Sequence, residues 1–440
     1  MEEPQIGAVS RCVKALGPGI LFAGAAIGVS HLVQATRAGA VYGLSLIGLV
    51  LLAHAMKLPA MLFGPRYAAA TGTSLLQGYR RQGTHAIIAF SIITLGTMFT
   101  IQAAVTLVTA AIVQGVLIGP VLGLDLPLWV VSAGVLGLCA MLIGVGGFGW
   151  LDGVLKVLMG IMAITTFVAA GLALPGLLEQ GLPVLPSIPN DAASRAALIA
   201  FVVALAGWMP APLDISVWHS LWTLAREKQT HHAPTRREAG FDFGVGYALC
   251  VLLALGFLVL GAAEMHGSDV APAASSSAFA TQLIDLYTAS FGAWVRPIIA
   301  ACAIAVMFST TLTVLDALPR TIVVLARRFA TDELKQDPDR PTRELCRTRG
   351  YWAALLIIVG GALWIIAGVG GAGFRSLIDL ATTLSFLGTP LLAWFNHRAI
   401  TGPEIRTADR PGAAMRLWSW AGIVFWAVFA GVYLWTRATG

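Results

Sequence analysis

The chain has 440 residues, 57% of them hydrophobic and only 11% charged, with a formal net charge of +6 and a mean hydropathy of +0.80. A soluble domain carries about 25% charged residues, so 22 acidic and 28 basic side chains cannot cover a water-facing globule of this size. The composition identifies an integral membrane protein and excludes a cytosolic enzyme, a secreted disulfide scaffold and a disordered chain; the positive balance is read for where it sits, not as affinity for nucleic acid.

A helix needs about 20 apolar residues to cross a bilayer core. Taken in chain order, the runs of that length predict eleven helices: 17–40, 43–66, 85–117, 126–146, 149–176, 197–224, 240–264, 290–318, 351–369, 375–397 and 415–436. The runs are long and unbroken, unlike the alternating segments of about ten residues that build a membrane barrel. The first run continues into this repeating pattern and is not followed by a small-residue cleavage site, which argues against a cleavable signal. Five scattered cysteines (Cys12, Cys139, Cys250, Cys302 and Cys346) show neither disulfide-framework nor zinc-ligand spacing and read as packing residues.

Orientation follows from Lys and Arg in the short connections. With the N-terminus cytoplasmic, the other side keeps only Arg37, Arg195, Arg296, Arg375 and Arg437, and the remaining basic residues fall inside or, for Lys57, within span two. The expectation is an N-terminus inside and a C-terminus outside, in the plasma membrane. Segment 319–350 reads as a solvated cytoplasmic loop, and 265–282, with His266, Asp269 and Ser275, as a flexible external connection. Asp316 lies one helical turn from Arg320 and is expected to pair with it.

Two spans carry residues that interrupt a helix near its middle. Span one contains Gly24 and then Gly28-Val29-Ser30-His31, and span six contains Gly207-Trp208-Met209-Pro210-Ala211-Pro212-Leu213-Asp214. Pro210 and Pro212 each remove a donor and clash with the preceding turn. Irregular backbone at membrane depth survives only within protein or against a cavity, and interrupted spans at corresponding places in two halves point to a secondary transporter's binding site.

Here the chain resembles the NRAMP metal transporters. Gly17-Pro18-Gly19, the stretch to Gly39-Ala40-Val41-Tyr42-Gly43, and Gly64-Pro65-Arg66 through Thr71-Gly72 with Leu75 are similar to that family's first two spans; Met209-Pro210 and His219-Ser220 are similar to its sixth. The resemblance implies an all-α, LeuT-type fold: one transmembrane domain over 1–440, with five-helix inverted repeats at 17–176 and 197–397 and an additional helix at 415–436. It also exposes departures. The family's first-span Asp-Pro-Gly-Asn, whose Asp and Asn coordinate metal, aligns with Gly28-Val29-Ser30-His31; its Met-Pro-His becomes Met209-Pro210-Ala211; and the acidic residues of its third span are absent from 85–117.

The candidate substrate residues are Gly28, Ser30, His31, Met209, Ala211 and Asp214. A divalent cation needs anionic oxygens, imidazole or sulfur, and Asp214 is the one acidic residue near either interruption. Two readings stand for Asp214, a cap on the second half of span six or work on an ion or substrate, and two for His31, a satisfied core histidine or a ligand. Half-helix N-termini suit an anion, and loss of the first-span carboxylate leaves room for one. The run Ser309-Thr310-Thr311-Leu312-Thr313 offers hydroxyl oxygens, which either bond back to their own helix or bind Na+. The resemblance places a sodium site there, with Ala23 and Ala26 on span one as carbonyl partners.

The expected function is therefore a secondary active transporter that moves a small inorganic or carboxylate anion, bicarbonate foremost, with Na+ as the coupling ion and no other cofactor, working as a monomer in the lipid bilayer and binding no nucleic acid. The alternative is a divalent-cation carrier for Mn2+ or Mg2+, built on His31, Met209 and Asp214. An intramembrane enzyme finds no support: HExxH, GxSxG and paired carboxylates are missing from the sequence. His54 and Lys57, on span two, have no firm assignment from the sequence, an inner vestibule being one place for them to face.

Overall fold

The computed structural model describes residues 17–145, 149–183, 185–268, 272–273, 276–330, 348–369 and 373–439. Arg11, Cys12, Lys14, Lys335, Arg340, Arg343, Cys346 and Arg347, and with them most of the predicted cytoplasmic loop, lie outside these residues, as do Asp269 and Ser275. The described residues form helices α1 (Pro18–Ala26), α2 (Thr36–Tyr42), α3 (Ile47–Thr71), α4 (Leu75–Gln82), α5 (Thr84–Val113), α6 (Gly119–Leu122), α7 (Leu128–Val145), α8 (Gly149–Glu179), α9 (Ala192–Gly207), α10 (Ile215–Thr230), α11 (Arg236–Met265), α12 (Ser276–Phe291), α13 (Arg296–Ala330), α14 (Arg349–Val369), α15 (Phe374–Ile400) and α16 (Ala413–Thr439). No strand occurs among them.

Among the described residues, ten helical stretches are long and apolar enough to cross a membrane, counting Pro18–Tyr42 as one. Eleven are predicted from the sequence. The difference lies in span six, where the chain leaves the helix after Gly207 and resumes at Ile215, so that α9 and α10 have 16 residues each. Two connections also differ from their sequence reading. The external segment contains α12, and α13 runs through Pro319 to Ala330, taking up the first part of the predicted loop. Arg327 and Arg328 fall in the last turn of α13, where cations complement the exposed carbonyls.

At the centre α11 lies against α1, α2, α3 and α8, while α13 packs on α1, α5, α8 and α14. Glycines set the α11 seam. A Cβ on Gly19 would sit 1.9 Å from the Asp242 carbonyl oxygen, and one on Gly39 would sit 1.9 Å from that of Leu258. Lipid tails are as apolar as leucine, so helices in a bilayer associate through such close backbone approach. At the start of α1, the Asp242 carboxylate of α11 accepts the amides of Gly17 (2.9 Å) and Gly19 (2.7 Å), satisfying donors that the first helical turn leaves open.

Candidate substrate and ion site between the helix interruptions

In span one α1 ends at Ala26. Ile27 and Gly28 leave helical geometry, and Val29–Ala35 is wound as a π-helix before α2 begins. The Gly28 amide turns back to the Ala26 carbonyl (2.9 Å) instead of continuing the ladder. In span six residues 208–214 are non-helical, as two prolines one residue apart require. The two interruptions meet directly: the Ser30 hydroxyl lies 2.9 Å from the Ala26 carbonyl and 3.3 Å from that of Pro210.

Between them lies a cavity of about 20 Å³, room for roughly one water molecule. Ala26, Ser30, Ala211 and Thr310 line it with Trp208, Pro212 and Trp218. Of the predicted substrate residues, Ser30 and Ala211 thus reach the cavity, whereas Gly28, His31, Met209 and Asp214 are buried around it without lining it.

His31 turns away. Its Nε2 lies 3.0 Å from the Cys250 carbonyl, an acceptor only, so Nε2 donates, and Nδ1 meets the Ser30 hydroxyl at 2.7 Å. Both ring nitrogens of His31 are thus occupied by protein partners in this geometry. Among the described residues no group of three or more His, Cys, Asp or Glu side chains is disposed to hold a metal ion.

Asp214 immediately precedes α10, where the helix dipole favours a carboxylate. Its oxygens lie beside the amides of Asp214 and Ile215 without forming a well-shaped hydrogen bond. Its counter-charge is Lys57, which reaches the break in span six and not an inner vestibule. The fully buried ammonium of Lys57 donates to the carbonyls of Ala206 (2.9 Å), Gly207 (2.6 Å) and Ala211 (3.2 Å) and stands 5.0 Å from the ring centre of Trp426. It closes the C-terminal end of α9, whose last carbonyls have no helical partner. The sequence held a signal for this role, since an ammonium in the middle of an apolar span is costly enough to imply a partner.

His54 bonds within its own helix, through Nδ1 to the Val50 carbonyl at 2.7 Å, and accepts the Tyr247 hydroxyl on its backbone carbonyl. Asp316 pairs with Arg320 at 2.7 Å and also accepts the Tyr351 hydroxyl. His219 sits on α10 among Phe22, Trp222 and Phe243, with Nε2 3.7 Å from the Asp242 carboxylate. Cys139, Cys250 and Cys302 are free and buried.

The hydroxyl run on α13 divides between two neighbours. Thr310 faces span one, its Oγ1 2.8 Å from the Gly24 carbonyl, 3.2 Å from that of Ile27 and 3.0 Å from that of Val306 on its own helix. Thr311 faces α5, bonding to Thr109 at 2.7 Å. Ser309 is half-buried beside Gly24, and Thr313 is half-buried. The carbonyls of Ala23 and Ala26 are taken by the amides of Ile27 and Gly28. The oxygens presented to Thr310 are therefore those of Gly24 and Ile27. One hydroxyl proton serves three carbonyls, so oxygen lone pairs outnumber donors at this point.

Comparison with known proteins agrees with the architecture. A family model described as natural resistance-associated macrophage protein-like matches residues 19–436. An uncharacterized protein of Pasteurella multocida (strain Pm70) is 35% identical over 397 residues, 90% of this chain and 87% of the relative. Crystal structures of the Eremococcus coleocola manganese transporter share the fold at 12% identity, with a TM-score of 0.65 over 98% of this chain and 87% of that one. MhsT in complex with L-phenylalanine gives a TM-score of 0.59 at 14% identity, over 99% of this chain and 100% of that one. The fold is of the LeuT type.

Proposed function

The chain belongs to the natural resistance-associated macrophage protein-like family, whose members are membrane transporters rather than enzymes, and from that premise we propose that this secondary transporter carries a small oxyanion, bicarbonate or a short carboxylate, together with Na+. Lys57 carries the reading. The carbonyls of Ala206, Gly207 and Ala211, which would otherwise ligate a cation at the interruption, already hold the chain's own ammonium. A dication arriving beside this ammonium in a low-dielectric interior is repelled; Asp214 offsets part of that charge, but the cavity lining itself contributes no carboxylate. An anion brings its own negative charge and needs only donors, and the cavity wall holds the Ser30 hydroxyl and the indole N–H of Trp218, which is buried without a partner.

Na+ would bind where Gly24 and Ile27 direct freed carbonyls at Thr310, because three carbonyls around one hydroxyl form an oxygen-rich set short of protons. Both ions then lie against the same break in span one, so a movement of α1 that opens one site disturbs the other. The chain works as a monomer in the plasma membrane, with its N-terminus inside, and binds substrate between the two interruptions by alternating access of the repeats 17–176 and 197–397.

The test is uptake of labelled bicarbonate into proteoliposomes. The expected result is accumulation that rises with an inward Na+ gradient and collapses without it. Calorimetry with Mn2+ and Mg2+ should show no specific binding. Robust Mn2+ uptake without gradient-dependent bicarbonate uptake overturns the anion reading in favour of a divalent-cation carrier.

A further inference from the structure

Membrane topology leaves one end of this bundle poor in basic residues, yet three of the five found there converge. Arg37 from α2, Arg375 from α15 and Arg437 from α16 line a single open cavity of about 630 Å³, with Asp379 as the one acidic side chain in its wall among the described residues. Tyr42 and Tyr433 add to that wall. Three guanidiniums against one carboxylate leave a surplus of two positive charges.

The carboxylate neutralises one arginine only. Arg37 forks onto Asp379, at 3.0 Å from Nη1 to Oδ1 and 3.5 Å from Nη2 to Oδ2, while Gln34 accepts a further bond from Nη1 at 2.8 Å and Phe201 lies under the guanidinium. Arg37 is thereby held rigid on the cavity wall. Arg375 donates one Nη2 bond to the Pro272 carbonyl, which carries no formal charge, and its Nε–H is buried without a partner. A guanidinium that lines an open cavity and has only a neutral carbonyl as partner keeps its charge uncompensated there and favours an anion. Planar guanidinium groups also match oxyanions bidentately, as ammonium groups do not.

We propose that this vestibule is a second anion-binding site, held by Arg375 and Arg437 with Arg37 behind them, which takes small inorganic oxyanions before they reach the interruptions. Clefts lined by one sign of charge raise the local concentration of the opposite ion. The surplus charge at a membrane face otherwise depleted of basic residues therefore serves to gather substrate. That role rests on the anion reading above; the binding itself does not.

The two can be tested apart. Purified protein in detergent is titrated with sulfate and with bicarbonate at constant ionic strength, gluconate making up the balance, while thermal unfolding is followed. Wild type is expected to gain stability with either anion. R375Q and R437Q should shift the titrations to several-fold higher anion concentration, and R375K should recover part of the loss. In proteoliposomes R437Q is expected to raise KM for bicarbonate and leave kcat unchanged, and added salt is expected to have the same effect on wild type. Anion titrations that coincide for wild type, R375Q and R437Q overturn the vestibule site, whatever uptake shows. Arginine-dependent stabilisation alongside robust Mn2+ uptake and no bicarbonate uptake keeps the vestibule site and overturns the anion transport reading instead. R437Q guards against misfolding of R375Q, because Arg437 lies in the last turn of α16.

Discussion

Lys57, from the middle of α3, places its ammonium 2.6 Å from the carbonyl oxygen of Gly207, the last residue of α9. Two residues 150 positions apart thus close the end of an interrupted helix with a charge, beside the Met209 amide that also reaches the Ala206 carbonyl at 3.3 Å. Asp214, at the start of the following half-helix, lies within electrostatic reach of the same ammonium.

Replacing Lys57 by methionine removes the donor to three carbonyls and leaves Asp214 without its counter-charge. A buried acceptor left unpaired costs about 1–3 kcal/mol, so K57M, which strips the ammonium from these carbonyls, should unfold at a markedly lower temperature and lose uptake. K57M/D214N should lose less stability than the sum of the two single variants. Additive losses would show that the two charges act independently.

Gly28 is kept small by its neighbour. A Cβ there would lie 2.8 Å from the Thr310 methyl and 3.0 Å from its hydroxyl. G28A should displace Thr310 from the Gly24 and Ile27 carbonyls and weaken the Na+ dependence of uptake. T310S lacks that methyl and retains the hydroxyl, so G28A/T310S should recover Na+ dependence relative to G28A alone. The comparison is made by measuring uptake against Na+ concentration.

Thr310→Val keeps the shape and removes the hydroxyl. The carbonyls of Gly24 and Ile27 would then face an apolar group, at about 1–3 kcal/mol for each buried acceptor left unpaired. T310V should unfold earlier than wild type and need a higher Na+ concentration for half-maximal uptake, whereas T310S should match wild type in both.

Asp191 caps α9 by accepting the Ser194 amide at 2.8 Å, and the hydrogen bonds from Ser194 hold its carboxyl below the usual carboxylate range. A depressed value means that the charged form is favoured by the fold. The cap's contribution is present above the unfolded-state value, roughly pH 4, and is lost as pH falls through the lower folded value. Hydrogen exchange at amides 192–195, corrected for its intrinsic pH dependence, should show protection disappearing over that acid range. In D191A the same amides should be weakly protected at every pH.

Much of the architecture follows from lengths and local chemistry. Apolar runs of 20 or more residues are legible because a bilayer core demands them, and the interruptions near Gly28 and at Pro210 and Pro212 are legible because these residues act on their own backbone. The boundaries that differ, at α12 and at the end of α13, lie where polar composition suits a solvated helix as well as a loop. Site chemistry was less accessible. His31 resembles a ligand in sequence, yet its ring spans Ser30 and the Cys250 carbonyl on α11. The carbonyls offered to Thr310 belong to Gly24 and Ile27 and not to Ala23 and Ala26, because the Gly28 amide folds back onto Ala26 and leaves Gly24 open.

The sequence by itself determined that the chain lies in a membrane and which spans are interrupted, and its resemblance to the NRAMP transporters implied that the first-span carboxylate of that family is missing. These are properties of composition and of residues next to one another. Only the tertiary structure decided that Lys57 fills the carbonyl end of α9, that His31 is turned into the core, and that Arg37, Arg375 and Arg437 share one cavity. Each of these depends on helices far apart in the chain being packed side by side, and the direction in which a side chain leaves its helix is set by that packing and not by its position in the sequence.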